Sequence, residues 1–299
     1  MKVFSGSSNL PLAEKVAKKL ASELSPLEIH VFPDGEKRVR VVDRVVNEEC
    51  VVVQSTATPA DSSYMELFFI VDALKRSGAK SVTAVVAYLG YQRQDHIFRD
   101  GEAVSLQVII ETLERAGVSK LITFDLHTIK IPEFFKIPVV HLSALGLFAN
   151  EIRSNYPLDA SNYTLVSPDM GGIRRIKILS EMLSNVPFAV IDKNRDLTTG
   201  EVSAKEIQGD VKGKRAIIVD DMISTGKTIA KAVELLAKKG AKGILVFATH
   251  PVFSQDAKKT LSDLPVEKVF VTDTIDIRPE KKFKKLEIIS VAKLISENL

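Results

Sequence analysis

The sequence contains no tryptophan, a single cysteine and only 6% aromatic residues among its 299 positions. One cysteine, Cys50, cannot form an internal disulfide, and this is typical of a protein in a reducing compartment. The first residues lack the apolar core of a signal peptide, and no apolar run reaches the length that spans a bilayer. We therefore expect a cytoplasmic protein without a membrane partner.

The chain also lacks a strong excess of either charge. Its 41 lysines and arginines nearly balance 38 aspartates and glutamates, which leaves a net charge of +3. The densest basic stretch, residues 281–285, is short and typical of a solvated loop. Neither feature resembles the basic surface that binds DNA or RNA, so we expect no nucleic-acid partner.

Apolar residues are abundant, at 45% of the chain. They form short strand-like runs that alternate with amphipathic helical segments, a pattern that predicts parallel sheets flanked by helices on both faces. The length predicts two such α/β domains in tandem, 1–143 and 144–299.

The two halves resemble each other weakly. Each has a strand that ends in a polar loop, at Gln54 and Ser167, and a later strand that ends in an aspartate, at Asp125 and Asp220. This order pairs Gln54 with Ser167 and Asp125 with Asp220. Duplication of one fold and general α/β repetition both explain the likeness.

The run from Ile217 to Thr228 is the most informative one. An apolar strand is followed by Asp220 and Asp221, then by a loop of hydroxyl residues and glycine that leads directly into a helix. A helix start presents unpaired N–H groups and the positive end of the helix dipole, which suits a phosphate. Adjacent carboxylates suit sugar hydroxyls or a metal. The run predicts a site for a phosphorylated sugar.

The same run has two other interpretations. Gly226, Lys227 and Thr228 match the end of the nucleotide-binding P-loop pattern, but the first glycine of that pattern would fall at position 221. Asp221 stands there and would repel a triphosphate, so we reject the P-loop. An ordinary strand, turn and helix with two solvated acids remains open.

Two further strand ends carry candidate metal ligands. In the segment 167–172, two consecutive glycines allow a backbone to approach a ligand closely, and Asp169 can reach a metal held by phosphate oxygens. Asp125 and His127 share one face of an extended chain and can contact Mg²⁺ or its waters. A capped turn and a structural histidine are the alternatives.

Three polar segments carry candidate groups for a nucleotide or a transferring phosphate. Arg93 can clamp phosphate oxygens, and Gln94 can bond a base or sugar. Phe32 can stack on adenine, with Asp34 or Glu36 accepting from its amine, although a plain turn also explains that segment. Lys193 and Arg195 open a polar stretch, Asp196–Lys214, with the pattern of a hairpin or mobile flap. Cations there suit a transferring diphosphoryl group.

Taken in order, these motifs closely resemble those of the ribose-phosphate pyrophosphokinase family over nearly the whole chain. They are Phe-x-Asp-Gly-Glu, Tyr-x-Arg-Gln-Asp, Asp-Leu-His, Ser-Pro-Asp-x-Gly-Gly, Asp-Lys-x-Arg and the Asp-Asp loop. The resemblance implies two phosphoribosyltransferase-type α/β domains. It also implies transfer of the diphosphoryl group of ATP to ribose 5-phosphate, with Mg²⁺ as cofactor. The alternatives are a phosphoribosyltransferase and a non-catalytic regulatory relative.

The resemblance also implies a role for each matching residue. The 5-phosphate site is Ser224, Thr225, Gly226, Lys227 and Thr228; the ribose site is Asp220 and Asp221 with Arg195; the metal ligands are His127 and Asp169; the catalytic cations are Lys193 and Arg195. The ATP site is Phe32, Asp34, Gly35 and Glu36, together with Arg93 and Gln94. The segment at Phe32 is expected from a neighbouring subunit, which requires at least a homodimer.

Three positions depart from the family pattern. Lys227 stands where a small residue is common, Ser224 where aspartate is frequent, and His96 where lysine or arginine is usual. The first two make the phosphate loop more basic, so we expect it to bind the phosphate more tightly. The third puts a phosphate contact at position 96 in doubt.

Overall fold

The computed structural model describes residues 1–156, 162–195 and 202–299, with the backbone alone for 193–195 and 202–205. The chain divides into two compact units. Unit 1 comprises Met1–Leu142, Asp273–Asp276 and Ser290–Leu299, and unit 2 comprises Ser143–Thr272 and Ile277–Ile289. The expected second domain, 144–299, therefore differs from unit 2, because two of its segments belong to unit 1.

The secondary structure alternates strands and helices along the chain. The elements up to Leu142 are β1 (Lys2–Ser5), α1 (Leu10–Lys19), β2 (Leu27–Val31), β3 (Lys37–Val41), β4 (Glu49–Val53), α2 (Ala60–Arg76), β5 (Ser81–Val85), α3 (Ser105–Ala116), β6 (Lys120–Phe124) and β7 (Val139–Leu142). The later ones are α4 (Leu145–Asn155), β8 (Tyr163–Ser167), α5 (Ile173–Met182), β9 (Phe188–Arg195), β10 (Val202–Gln208), β11 (Arg215–Ile223), α6 (Lys227–Lys238), β12 (Gly243–Pro251), α7 (Ala257–Asp263), β13 (Lys268–Thr272), β14 (Leu286–Ile289) and α8 (Ala292–Ser296).

Each unit is built on one main sheet. In unit 1 the strand order is β1-β4-β5-β6-β7, all parallel, with β2 and β3 forming a separate antiparallel hairpin. In unit 2 the order is β10-β9-β8-β11-β12-β13-β14, parallel except for β10. The predicted α/β fold with mainly parallel sheets is confirmed.

The central strands are buried on both faces, as parallel strands between helices should be. In β12, eight of the nine residues are buried, and four consecutive residues of β4 are. The helices add apolar faces, such as Ile229, Val233 and Leu236 on α6. Among the described residues, no helix is long and apolar enough to cross a membrane.

The two units share one order of elements. Position in the sheets pairs β1 with β8, β4 with β11, β5 with β12, β6 with β13 and β7 with β14. The hairpin β2–β3 precedes β4 just as the antiparallel pair β9–β10 precedes β11. This correspondence between the strands of the two units differs from the one expected from the sequence. The loop at Gln54 corresponds to the Asp220 loop, and Asp125 corresponds to Asp273.

Several elements were not predicted from the sequence. β3 alternates basic and apolar residues and is only half-buried. It has only two apolar residues, so its alternation of apolar and polar positions is too weak to predict a strand. β7 is a four-residue strand that includes His141 and is separated by two residues from α4, which begins at Leu145. Both cases are short elements, for which pattern carries little information.

Asp273 joins the C-terminal segment, Ser290–Leu299, to the N-terminal part of unit 1. One carboxylate oxygen accepts the backbone N–H of Val291 at 2.8 Å, and the other accepts Lys15 Nζ at 2.8 Å. Its carbonyl accepts the side-chain amide of Asn9 at 2.9 Å. Through these bonds, α1 and α8 are held by one buried residue.

Asp273→Ala is expected to lower the free energy of unfolding by about 1–3 kcal/mol, because it leaves a buried N–H without its acceptor. Urea unfolding measures the change. The matched control is Asp276→Ala, an exposed aspartate of the same segment, which should change stability by less than about 0.5 kcal/mol. Equal losses in the two variants would contradict the anchoring role of Asp273.

Candidate functional site

The strand order of unit 2 reverses at one point. The chain runs from β8 to its neighbour β9, and then returns to the other side of β8 as β11. Ligands of open α/β sheets bind outside the carboxyl ends of the strands at such a reversal. Ser167 ends β8 there, and Asp220 and Asp221 lie near the end of β11. The fold therefore brings the two predicted loops of the second half to one edge.

Asp220 and Asp221 lie within β11, which continues to Ile223 rather than ending at Val219 as expected. Their side chains are 14% and 8% exposed. The backbone N–H of Asp221 donates to Asp220 Oδ1 at 2.9 Å, which fixes one carboxylate against the chain. Two acids are thus held side by side with little contact to water.

Arg175 on α5 lies between these carboxylates. Its Nη1 is 3.5 Å from Asp220 Oδ1, and its Nη2 is 3.7 Å from Asp221 Oδ1. The guanidinium is itself largely buried, at 17% exposed. Sequence reasoning missed this residue, since nothing in the local pattern distinguishes it from Arg174. Only the packing of α5 against the sheet shows which of the two arginines meets the acids.

The pKa of Asp220 is raised well above the usual value. Burial is the main cause, the neighbouring Asp221 adds to it, and Arg175 acts in the opposite direction. Because the pKa is higher than in the unfolded chain, the ionised carboxylate costs stability as the pH rises through the folded-state value. The ionised acid pair is therefore destabilising, and the positive charge of Arg175 offsets part of this cost.

The phosphate loop, Ser224–Thr228, connects β11 to α6. Gly226 has φ +79°, a left-handed conformation that favours glycine, and it precedes the first helical residue, Lys227. Lys227 and Thr228 are exposed at the helix start. The backbone N–H of Lys227 donates weakly to Thr225 Oγ1 at 3.5 Å. The N–H groups of a helix's first turn, together with the helix dipole, suit an anion at such a position.

A second loop braces the phosphate loop. Ser254 donates its backbone N–H to the carbonyl of Ser224 at 3.0 Å, and the two hydroxyls lie 2.9 Å apart. The preceding Phe253 donates to the carbonyl of Ile223 at 3.0 Å and is buried. Sequence reasoning missed Ser254, because it is 30 residues from its partner.

The loop after β8 carries Asp169. Ser167 Oγ donates to the carbonyl of Asp169 at 2.6 Å, and a Cβ on Gly172 would overlap that hydroxyl. Asp169 is only partly buried. Within the described ranges, no group of three or more His, Cys, Asp or Glu residues forms a ready-made metal cage. The carboxylate of Asp169 is an oxygen donor of the kind that Mg²⁺ prefers.

In unit 1, the loops after β5 and β6 are joined by hydrogen bonds. The backbone N–H of His127 donates to Gln92 Oε1 at 2.8 Å, and Thr128 Oγ1 donates to Asp95 Oδ2 at 2.9 Å. Asp125 has φ +28°, an unusual conformation for a residue with a side chain. The predicted metal residue His127 therefore lies on a turn that the Arg93 loop helps to hold.

Arg93 and Gln94 extend from that loop into solvent. The turn is closed by the backbone N–H of Gln94, which donates to the carbonyl of Tyr91 at 2.8 Å. His96 contacts Asp95 through Nδ1 at 2.6 Å, and its ring centroid is 3.9 Å from that of Phe98. The imidazole of His96 therefore already has partners within its own loop.

The tip of the hairpin β2–β3 carries the other predicted adenine residues. The backbone N–H of Phe32 donates to the carbonyl of Glu36, and the N–H of Gly35 donates to the carbonyl of Phe32. The N–H of Glu36 donates to Asp34 Oδ1 at 3.1 Å. Phe32 is 37% exposed, with Arg38 lying 5.8 Å from its ring centroid. The tip presents an aromatic face and two acids to solvent rather than to the core of unit 1.

The predicted catalytic cations lie outside the described side chains. The backbones of Lys193 and Arg195 belong to β9, where Lys193 is opposite Ala204 and Arg195 is opposite Val202. Residues 196–201, the centre of the expected flap, are also outside the described part. The roles of both cations remain predictions.

Fold and site together define an α/β protein with a candidate phosphate loop and an acid pair at a strand-order reversal. Residues 1–117 match the N-terminal domain of ribose phosphate pyrophosphokinase, and residues 183–299 match the phosphoribosyl synthetase-associated domain. Ribose-phosphate pyrophosphokinase 1 of Streptococcus mutans is 41% identical, with 99% of this chain and 92% of the relative covered. The Aquifex aeolicus relative of that name is 38% identical, with coverage of 99% and 94%.

A solved structure agrees. The crystal structure of phosphoribosylpyrophosphate synthetase from Mycobacterium smegmatis superposes with a TM-score of 0.93 at 36% identity, and covers 99% of this chain and 96% of that one. The chain belongs to the ribose-phosphate pyrophosphokinase family. The ATP-dependent chemistry of this family implies a metal cofactor.

Arg175→Met is expected to destabilise the protein at pH 8 by up to about 3 kcal/mol, because it leaves two buried carboxylates without a counter-charge. The loss should shrink as the pH is lowered, since Asp220 with its raised pKa takes up a proton at a higher pH than an ordinary aspartate does. Thermal melts at a series of pH values from 8 downward measure this. Arg174→Met, at the exposed neighbouring position, is the control. A pH-independent loss would contradict the electrostatic explanation.

Proposed function

We propose that this protein transfers the diphosphoryl group of ATP to the anomeric hydroxyl of ribose 5-phosphate, giving 5-phosphoribosyl 1-diphosphate and AMP. The observation that carries the proposal is the acid pair of β11 beside a phosphate loop at the strand-order reversal of a family member. Carboxylates for sugar hydroxyls and N–H groups for a phosphate match the two ends of ribose 5-phosphate.

The acceptor half of the site belongs to unit 2. Asp220 and Asp221 accept hydrogen bonds from the ribose hydroxyls, and the residues 224–228 hold the 5-phosphate. Arg175 offsets the electrostatic repulsion between the two carboxylates, and Ser254 fixes the shape of the phosphate loop. Arg195 is proposed to contact the sugar phosphate as well. The exposure of Lys227 and Thr228 leaves this site open to a substrate.

The donor half draws on unit 1. Arg93 and Gln94 bind the nucleotide phosphates and sugar, and both are exposed. Phe32, Asp34 and Glu36 recognise adenine from a second copy of the chain. An exposed aromatic residue at the tip of a hairpin supports this arrangement, because more than a third of Phe32 is accessible. We therefore propose a homo-oligomer, at least a dimer, with a cytoplasmic location that the single cysteine supports.

Mg²⁺ is the proposed cofactor, with Asp169 and His127 as the residues that hold or orient it. The carboxylate donor suits a hard cation, and the lack of a three-ligand cage among the described residues suits one shared with substrate phosphates. When bound, the ion neutralises the triphosphate and aligns its oxygens.

In the proposed reaction, the anomeric oxygen attacks the β-phosphorus, the bond from that phosphorus to the α-phosphate oxygen breaks, and AMP leaves. The hydroxyl proton is released. Little covalent chemistry is required of the protein, so catalysis depends on positioning and on neutralising charge. Lys193 and Arg195 are proposed to contact the diphosphoryl oxygens when the flap closes and excludes water.

One assay separates this function from its alternatives. The protein is incubated with ATP, Mg²⁺ and ribose 5-phosphate, and both AMP and the diphosphorylated sugar are measured. Both products are expected. AMP without the sugar product would indicate hydrolysis, and no turnover would favour a regulatory relative. A phosphoribosyltransferase would leave ATP intact and consume added 5-phosphoribosyl 1-diphosphate with a base instead.

Lys193→Ala is expected to lower turnover by roughly 100-fold or more, because a cation facing the transition state is lost. The affinity for ribose 5-phosphate should change little. Steady-state kinetics and equilibrium binding measure the two effects. Lys212→Ala, at an exposed position near the base of the same segment, is the control. Turnover close to that of the wild type would refute the role of Lys193.

Lys227→Gly is expected to weaken ribose 5-phosphate binding by up to about fivefold at low salt, because an exposed ion pair contributes about 0.2–1 kcal/mol. The difference should disappear at high salt. Titrations at two ionic strengths measure it. Lys227→Ala separates charge from backbone flexibility, and Lys238→Ala at the far end of α6 is the control. Equal affinities at both salt concentrations would mean that Lys227 faces solvent only.

A further inference from the structure

One buried carboxylate in unit 1 is surrounded by hydrogen-bond donors. Glu66 on α2 is 1% exposed. Its Oε1 accepts the backbone N–H of Ser7 at 2.6 Å and Gln54 Nε2 at 3.0 Å. Its Oε2 accepts Ser7 Oγ at 2.9 Å and Lys37 Nζ at 2.7 Å. A main-chain N–H, a hydroxyl, an amide and an ammonium thus converge on one anion.

This donor set is the chemistry of an anion-binding site. Burial alone would raise the pKa of the Glu66 carboxyl, but the hydrogen bonds from Lys37 and Ser7 outweigh burial and keep the pKa below its usual value. The carboxylate is therefore the stable form. Its partner Gln54 is itself closely packed, since a Cβ on Gly6 would overlap the Gln54 side chain.

The location in the fold is informative. Ser7 follows β1, and Gln54 follows β4. By sheet position these strands correspond to β8 and β11, whose carboxyl ends carry the Asp169 loop and the phosphate loop in unit 2. The edge that is open to a phosphorylated ligand in unit 2 is thus closed in unit 1 by the protein's own carboxylate.

The fourth donor, Lys37, comes from the hairpin. It is the first residue of β3, it is 13% exposed on its side chain, and its Nζ also donates to the carbonyl of Ser62 at 3.2 Å. The hairpin is a separate two-stranded sheet, and such a sheet is marginally stable on its own. A buried ion pair to α2 restricts where its tip can lie.

We propose that Glu66 acts as an internal ligand of unit 1: it occupies the sheet edge that corresponds to the Asp169 and Asp220 loops of unit 2 and, through Lys37, positions the hairpin that carries Phe32, Asp34 and Glu36. Glu66 is a positioning residue that contacts no substrate. The consequence for ATP rests on the proposed function, whereas the anchoring of the hairpin does not.

The test is chemical rescue of Glu66→Ala. The substitution removes a group equal in size to acetate and leaves the donors of Ser7, Gln54 and Lys37 in place. Amide hydrogen exchange over residues 27–41 should become at least tenfold faster, and the melting temperature should fall. Acetate should restore both, and acetamide, which is neutral and of the same shape, should not.

Kinetics give an independent measurement. The KM for ATP should rise about fivefold or more, whereas the KM for ribose 5-phosphate should stay within twofold, because a general loss of structure would affect both. Acetate should lower the KM for ATP again. The matched control is Glu28→Ala, which removes an exposed ion pair with Arg40 from the same hairpin, and it should change neither exchange nor kinetics.

Two further variants cover a failure of Glu66→Ala to fold. Glu66→Gln keeps the volume but presents an amide to Lys37, and Lys37→Met removes the cation. Both should accelerate exchange in the hairpin. Unchanged exchange in both, or acetamide rescue equal to that by acetate, would overturn the proposal. If the wild type formed no 5-phosphoribosyl 1-diphosphate, the proposed function would fail, and exchange would still decide the anchoring.

Discussion

Two carboxylates held together away from water are the constraint on which the candidate site depends. Burial and mutual repulsion both oppose their ionisation, and Arg175 is placed between them. An unpaired buried charge costs several kcal/mol, so the guanidinium is as much a part of the site as the acids. Arg175 reaches the acids from α5, whose apolar residues Ile176 and Leu179 pack in the core. The close packing of Gly172 against Ser167 brings the start of this helix near β8.

The two units show how one topology serves two purposes. In unit 2, β9 pairs with β8, so the strand order reverses and a crevice is left at the carboxyl ends. In unit 1, the corresponding hairpin stays out of the sheet, β1 is an edge strand, and Glu66 closes the equivalent place. The hairpin is thereby available to present Phe32 outward. The two edges therefore differ because β9 and β10 join the main sheet of unit 2, whereas β2 and β3 form a separate hairpin in unit 1.

The sequence predicted those parts of the site that are local in the chain. Asp220, Asp221 and the phosphate loop follow each other within nine residues, so strand, acids, turn and helix could be read together. Arg175, Ser254 and the pair of Lys37 with Glu66 could not be read, because their partners lie 29 to 46 residues away and depend on packing. The predicted correspondence between the strands of the two halves was wrong for the same reason, since the order of strands in a sheet cannot be inferred from local sequence pattern.

The acid pair also has a consequence for which ligand the site prefers. A free phosphate at the loop would gain the N–H groups of α6 but would add negative charge near Asp220 and Asp221. A sugar phosphate brings hydroxyls that donate to those carboxylates, so its binding relieves repulsion that the free protein bears. For the proposed function, we therefore expect selectivity for a phosphorylated sugar over inorganic phosphate to come from relief of this repulsion as well as from direct contacts with the ligand.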